Sequence, residues 1–340
     1  MIPILIAILV FSVMIIMHEF GHFIFARIFK VRVNEFAIGM GPKLFGIQGK
    51  ETLYSLRLFP IGGFCSMAGE EEEDDSPDAL CNKPVWQRLI IMAAGTFMNL
   101  LFGFIITCII VSSSKLVGTR IIAKFDEDAV SSASGLMVND EIIKVGNHNI
   151  FTYTDLSYFI LHDGVEPVDI TVKRNGERVV LKDVNFKTDS VENIKVAQLD
   201  FTLYGKEKTF GNVVYNSFFG AFSNIRMIWS SLLDLVTGRY GLEAASGPVG
   251  TTVAIGEAAS SGILPLLNMV AFISMNLGIF NLLPLPALDG GHIAFLLVEL
   301  VRGKPIKKEH EAYVHLAGFA ILILLMIYVS FNDIMKLFAR

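Results

Sequence analysis

The sequence predicts an α-helical polytopic membrane protein with four transmembrane spans and a β-rich domain inserted between them. Three observations carry that expectation. Hydrophobic residues make up 53% of the 340 residues and charged residues 18%, with a mean hydropathy of +0.55, where soluble proteins carry about 25% charge. Four stretches, 2–26, 89–111, 263–301 and 314–331, are apolar over the roughly 20 residues that a hydrocarbon core of about 30 Å requires. Between the second and third, the pattern turns polar and alternating. The net charge of −5 and pI near 5.8 come with no basic tract dense enough to follow a phosphate backbone, which argues against nucleic acid as a partner. Cys65, Cys81 and Cys108 are odd in number and irregular in spacing, so neither a disulfide framework nor a CxxC metal cluster is on offer.

The first stretch has no basic lead, runs longer than a signal peptide and holds charged groups, so it is expected to stay in the mature chain. Orientation follows lysine and arginine. The connection 27–88 carries Arg27, Lys30, Arg32, Lys43, Lys50, Arg57, Lys83 and Arg88, and the link after the third stretch carries Arg302, Lys304, Lys307 and Lys308. Both are expected in the cytoplasm, with the termini and segment 112–262 outside.

Within the outer segment, Arg120 to Phe125, Glu141 to Val145, Val168 to Arg174 and Glu177 to Val184 alternate as strands. The last two flank Asn175-Gly176, a strong hairpin signal. Thr154 to Leu161 is expected to form a short helix capped by Thr152 or Thr154. Residues 210 to 236 repeat apolar side chains at helical period, among them Phe210, Val214, Phe218, Trp229 and Val236. Asn212, Asn216, Asn224, Arg226 and Asp234 interrupt that face, so this helix is expected on the membrane surface or against the bundle rather than across the bilayer. On the cytoplasmic side, Lys30 to Ile38 and Thr52 to Leu58 alternate, with Gly39, Gly41, Gly62 and Gly63 marking turns, which predicts a hairpin or small sheet at the bilayer. The acidic run Glu70 to Asp75 is expected to be a solvated loop.

The first span contains His18-Glu19-Phe20-Gly21-His22. On an α-helix, His18 and His22 lie about 40° apart and Glu19 about 60° from His22. Two imidazoles on one face can share a metal, and zinc suits a site of imidazole ligands with one open position. Glu19 then stands as general base for a water that the metal acidifies. HExxH also arises by chance in soluble helices, but three ionisable side chains in an apolar span are costly unless ligated or paired. A third ligand is expected from Asn281-Leu282-Leu283-Pro284-Leu285-Pro286-Ala287-Leu288-Asp289-Gly290-Gly291, where prolines and glycines break a span as only a covered backbone can tolerate. Asp289 is the candidate. His292 competes with it as a ligand but is expected rather to hydrogen-bond nearby, and His310 and His315 are assigned to the membrane interface.

HExxH in a first span, a downstream NxxPxPxLDGG and one intervening domain together resemble the site-2 protease family, specifically the bacterial regulator of sigma-E protease type. The resemblance covers nearly the whole chain. Pro60-Ile61-Gly62-Gly63-Phe64 resembles the family's membrane-re-entrant β-loop, Asn82-Lys83-Pro84-Val85-Trp86 its lead into the second span, and Ser246-Gly247-Pro248-Val249-Gly250 its signature before the third. Ser134 to Val145 is similar to the A-G-L-x-x-G-D-x-I-x-x-V pattern of a PDZ domain. Asn139 stands there for glycine, Ser131-Ser132 for a proline-containing turn, and Thr96 follows Gly95 where the family has proline. A single such domain resembles the shorter form of Gram-positive bacteria.

The resemblance implies a Zn2+-dependent endopeptidase of the bacterial inner membrane that cuts within or beside a transmembrane segment after a first protease has trimmed the substrate. It implies His18, His22 and Asp289 as metal ligands and Glu19 as catalytic base. It also implies Asn281, Pro284, Pro286, Gly62 and Gly63 as substrate contacts, and single-span proteins such as anti-sigma factors, or remnant signal peptides, as substrates in the lipid bilayer. The expected organisation is 1–111 with the HExxH span, β-loop and second span; 112–208 as the PDZ-like domain; 209–262 as amphipathic helix and linker; and 263–340 with the last two spans. The competing readings are a transporter or metal channel with a broken-helix site, and an inactive membrane scaffold.

Overall fold

The computed structural model describes residues 2–70, 74–191, 194–239, 241–242 and 245–339. Part of the acidic run, 71–73, lies outside them. Four helices among the described residues are long and apolar enough to cross a membrane: Pro3–Ile28, Val85–Ser113, Ile263–Leu282 and Glu309–Phe338. The chain is a multi-pass membrane protein carrying a β domain. It divides into two compact units, Met1–Ile106 with Ser231–Arg340, and Thr107–Ser230.

The first unit is built on α1 (Ile2–Ile28), followed by the long strands β1 (Val33–Gln48) and β2 (Leu53–Met67) and by α2 (Val85–Ser113). The α1 helix is apolar over most of its length, as a span facing lipid and protein must be, with His18, Glu19 and His22 as the ionisable exceptions within the run. It meets α2 at Gly21, where a Cβ would lie 2.3 Å from the Ala94 carbonyl oxygen. A small residue at this crossing lets two backbones approach as they do in membrane bundles. The strands outrun the expected hairpin. Gly39, Gly41 and Gly62, expected as turns, have φ of 84°, 86° and 85° and bend the strands without ending them. Residues 33–38 therefore pair along one side with 63–67 (Val33↔Met67, Ile38↔Gly63) and also face 53–56 (Glu35↔Leu53, Ile38↔Leu56). Segment 63–67 is left with an outer edge, and β2 packs against α1.

The third apolar stretch is two helices, not one. The α6 helix (Ile263–Leu282) stops before the Pro284 and Pro286 loop, and α7 (Asp289–Arg302) begins after it. The loop folds back on the start of α7 so tightly that a Cβ on Gly290 would sit 2.0 Å from the Leu283 carbonyl oxygen. Ser274 of α6 donates to the Asn99 carbonyl oxygen of α2 at 2.8 Å, and Arg88 of α2 pairs with Glu299 of α7. A helix that the sequence did not announce, α5 (Pro248–Ser261), packs between α1 and α6 with Ile255 fully buried. The last helix, α8 (Lys308–Ala339), carries Asp333, whose carboxylate accepts the Gly247 and Gly250 N–H groups at 2.9 and 2.7 Å at the start of α5.

The second unit is an antiparallel sheet in the order β10-β3-β4-β6-β7, with β3 (Leu116–Phe125), β4 (Glu141–Val145), β5 (His148–Asn149) paired to β4, β6 (Val168–Arg174), β7 (Glu177–Val184) and β10 (Phe201–Glu207). A small hairpin, β8 (Thr188–Val191) and β9 (Ile194–Ala197), was not expected. The strands alternate inward around Ile122, Ile142, Val145, Ile170 and Val172, which close on Leu156 and Phe159 of α3 (Tyr153–Asp163). Thr152 caps α3 in a reciprocal box with Asp155. Asn139 has φ of 72°, the left-handed angle that lets asparagine stand for glycine. Phe210–Ser230 of α4 (Phe210–Thr237) belongs to this unit: Phe219 stacks on Phe151 with centroids 4.9 Å apart and Arg226 pairs with Asp155 at 3.3 Å. Arg226, one of the polar residues that interrupt the apolar run of this helix, is thereby paired within the sheet domain.

Asp140 is fully buried and held by Arg174 through both carboxylate oxygens, at 2.8 and 2.7 Å, and by the Met137 N–H at 2.9 Å. Removing one partner of a buried pair costs about 3 kcal/mol or more. Arg174→Met is expected to speed amide exchange across Thr107–Ser230 of the full-length protein and leave the apolar helices unchanged, with exchange at the wild-type rate as the contrary result.

Candidate metal centre

The helical spacing of the HExxH pair sets the geometry. His18 and His22, one turn apart on α1 and each below a tenth exposed, turn their rings edge to face, with Nε2 atoms 3.2 Å apart. Asp289, the first residue of α7, brings Oδ2 to 3.0 Å from His18 Nε2 and 3.3 Å from His22 Nε2. Three residues from the two ends of the chain thus converge on one point.

The protons say what that point can hold. His22 Nδ1 lies 2.8 Å from the Ile91 carbonyl oxygen, which can only accept, so the proton is on Nδ1 and Nε2 offers a lone pair. The buried Asp289 Oδ2 has no hydrogen-bond donor. Two acceptor atoms this close, His22 Nε2 and Asp289 Oδ2, call for a cation between them. A tetrahedral zinc with arms of about 2.0–2.1 Å needs ligand atoms about 3.3 Å apart, and the triangle of 3.0, 3.2 and 3.3 Å matches one face of that tetrahedron. Space is kept by Gly95 of α2, where a Cβ would lie 2.4 Å from His22 Nε2 and 2.7 Å from His18 Nε2. The donor set fits zinc.

Around the triangle, Glu19 Oε2 accepts the Cys65 N–H of β2 at 3.0 Å, which turns this carboxylate toward the outer edge of segment 63–67. Gly63 is next to it: a Cβ there would come 4.0 Å from Glu19 Cγ. Gly62 is buried beside the Met40 side chain. Asn281, near the end of α6, has its amide 3.4 Å from His18 Nδ1, as does Asn99 of α2. Pro286 is half-buried and Pro284 exposed on the loop. A cavity of about 740 Å³ opens on the cluster, lined by Glu19, His22, Asp289, His292, Phe64 and Glu70 among others. Sequence reasoning missed Gly95, Asn99 and the Cys65 amide. Asn99 was findable as a polar residue one turn after a glycine in an apolar span; the amide was not, because it depends on how β2 docks. His315, expected at the interface, sits against the Ala287 N–H at 2.8 Å.

A multi-pass membrane fold that brings two histidines and an aspartate to the spacing of zinc ligands, with a glutamate beside them, defines a metallohydrolase built into the membrane. The chain belongs to peptidase family M50, whose family model matches residues 6–325. A Clostridium acetobutylicum protein with a zinc metalloprotease name is 37% identical over 334 residues, covering 97% of both chains. Zinc metalloprotease RasP of Geobacillus kaustophilus is 31% identical over 97% of both chains. The regulator of sigma-W protease RasP of Bacillus subtilis is 30% identical over 97% of this chain and 98% of its own. The protein is therefore a zinc-dependent metalloprotease of regulated intramembrane proteolysis, and the transporter and scaffold readings are not favoured.

Gly95→Ala is expected to lower the zinc content of purified protein at least tenfold without changing its helical circular dichroism. Full zinc content would contradict the close approach of α2 to the two imidazoles.

Proposed function

We propose that His18, His22 and Asp289 hold the zinc and that Glu19 is the general base in hydrolysis of a peptide bond in an unwound transmembrane segment. The observation that carries this reading is the triangle of ligand atoms with Glu19 on the same helix turn. Zinc held there supplies Lewis acidity, which makes water a nucleophile near neutral pH and withdraws electrons from a carbonyl. The chain's own residues do the rest. The Ile91 carbonyl fixes the His22 tautomer, and the Cys65 N–H orients Glu19 while leaving its other oxygen for water. Glu19 takes a proton from the attacking water and passes it to the amine nitrogen that leaves.

A helical substrate hides its carbonyls in hydrogen bonds, so it must be extended before it can be cut. The outer edge of segment 63–67, with Gly62 and Gly63 at its start, is suited to hold it by strand addition. Asn281 contacts the substrate backbone, and Pro284 and Pro286 shape the loop beside it. The hairpin of β1 and β2 exposes Ile38, Met40, Leu44, Phe45, Phe59 and Ile61, which supports a β-loop that re-enters the membrane from the cytoplasmic face. The distribution of lysine and arginine supports termini and inserted domain outside, with the zinc in the cytoplasmic half of the bilayer. The single inserted domain is PDZ-like, on the pattern Ser134 to Val145 and its antiparallel sheet. The organisation 1–111, 112–208, 209–262 and 263–340 goes with these roles. The name of the Bacillus subtilis relative points to control of a sigma factor, which supports trimmed anti-sigma factors of the bacterial cell membrane as the substrate class.

The test is cleavage of a single-span anti-sigma segment by purified protein, wild type beside Glu19→Gln. The variant is expected to keep its zinc and lose at least 10²-fold in rate, on the scale of a lost general base. Equal rates would remove Glu19 from the mechanism.

A further inference from the structure

Beside the zinc triangle lies a second cluster of ligand-type side chains: His292 of α7 with Glu311 and His315 of α8. His292 Nδ1 is 3.2 Å from Glu311 Oε1, the His315 Nε2 is 3.8 Å from the same oxygen, and the two imidazoles stack with centroids 4.2 Å apart. The cluster resembles a metal site in composition, but its protons say otherwise. The Ala287 N–H donates to His315 Nδ1 at 2.8 Å, so the lone pair of that ring is already used and its proton sits on Nε2. An Nε2–H cannot ligate a cation.

The same hydrogen bond has another consequence. Ala287 is a non-glycine residue with φ of 69°, a left-handed conformation that a side chain resists, and it lies two residues before Asp289. One turn along α8 from His315, Gly318 lets the helix touch Pro286: a Cβ there would fall 2.2 Å from Pro286 Cβ. The far end of α8 is tied down by Asp333 on the Gly247 and Gly250 amides. The Asp289 loop is thus gripped at adjacent residues, 286 and 287, by a helix whose far end is tied to the start of α5.

We propose that His315 is a positioning residue of the zinc centre: as hydrogen-bond acceptor for the Ala287 N–H, it holds the loop in the conformation that aims the Asp289 carboxylate at His18 and His22. This rests on Asp289 being a zinc ligand. The role needs an acceptor where Nδ1 stands, so asparagine can supply it and leucine, of similar size, cannot. Partners hydrogen-bonded directly to a metal ligand are worth about 10–100-fold in metal affinity, and an acceptor that acts through the backbone of the loop is expected at the low end of that range.

The test is zinc affinity of the full-length protein in detergent, by chelator competition, for wild type, His315→Leu, His315→Asn and Asp289→Ala, with amide exchange of the loop 283–288 followed alongside. His315→Leu is expected to bind zinc at least tenfold more weakly and exchange its loop amides faster, His315→Asn to stay within about threefold of wild type, and Asp289→Ala to lose tight binding. The proposal is overturned if His315→Leu binds as wild type, or if asparagine is as damaging as leucine, while Asp289→Ala still weakens binding. If Asp289→Ala binds zinc as tightly as wild type, the ligand assignment fails and the proposal falls with it.

Discussion

Ionisable side chains in an apolar span are the constraint that orders this molecule. A charged side chain such as Asp, Lys or Arg costs about 2.5–3.5 kcal/mol at the centre of a translocated helix, and α1 carries the ionisable His18, Glu19 and His22 within five residues. They are tolerated because each meets a partner: the imidazoles face Asp289 and one of them the Ile91 carbonyl, and Glu19 meets the Cys65 N–H. Those partners come from α7, α2 and β2, so the packing of this unit follows from satisfying one helix. Gly21 and Gly95 keep α2 close enough to α1 to be a wall of the candidate site, and leave no side chain against the two imidazoles.

The broken third stretch answers the same constraint from the other side. A continuous helix through residues 283–288 would carry Asp289 as one more charge in an apolar span. Ending α6 at Leu282 and restarting at Asp289 puts the carboxylate at a helix N-terminus, where the dipole favours negative charge. Polar backbone exposed by the break needs cover. The loop's fold-back over Gly290, and the contacts of Pro286 with Gly318 and of Ala287 with His315, provide part of it.

Much of the site was legible because its chemistry is local in sequence. The spacing of His18, Glu19 and His22 fixes their common face, and Asp289 announced itself as an acid among prolines and glycines inside an apolar stretch. The strands from Glu141 to Val184 and the Asn175-Gly176 hairpin were legible too, since alternation and turn chemistry are short-range. What escaped was whatever tertiary contact decides. Residues Pro248–Ser261 form α5 with small and polar side chains that show no apolar period, and packing against α1 supplies what periodicity does not. Gly39, Gly41 and Gly62 read as turns because glycine permits both a turn and a bent strand, and only pairing with distant segments selects the bend. His315 looked interfacial from its position near the start of an apolar helix, and its partner amide is set by how α8 crosses the loop.

The central claim is that one zinc ion is held by two imidazoles of α1 and the carboxylate of Asp289. X-ray absorption at the zinc edge of the purified protein, wild type beside Asp289→Cys, tests it most directly. The account predicts only nitrogen and oxygen neighbours at about 2.0–2.1 Å in wild type, with imidazole scattering, and a new sulfur neighbour at about 2.3 Å in the variant. Sulfur already present in wild type, or a zinc environment indifferent to the substitution, would contradict it.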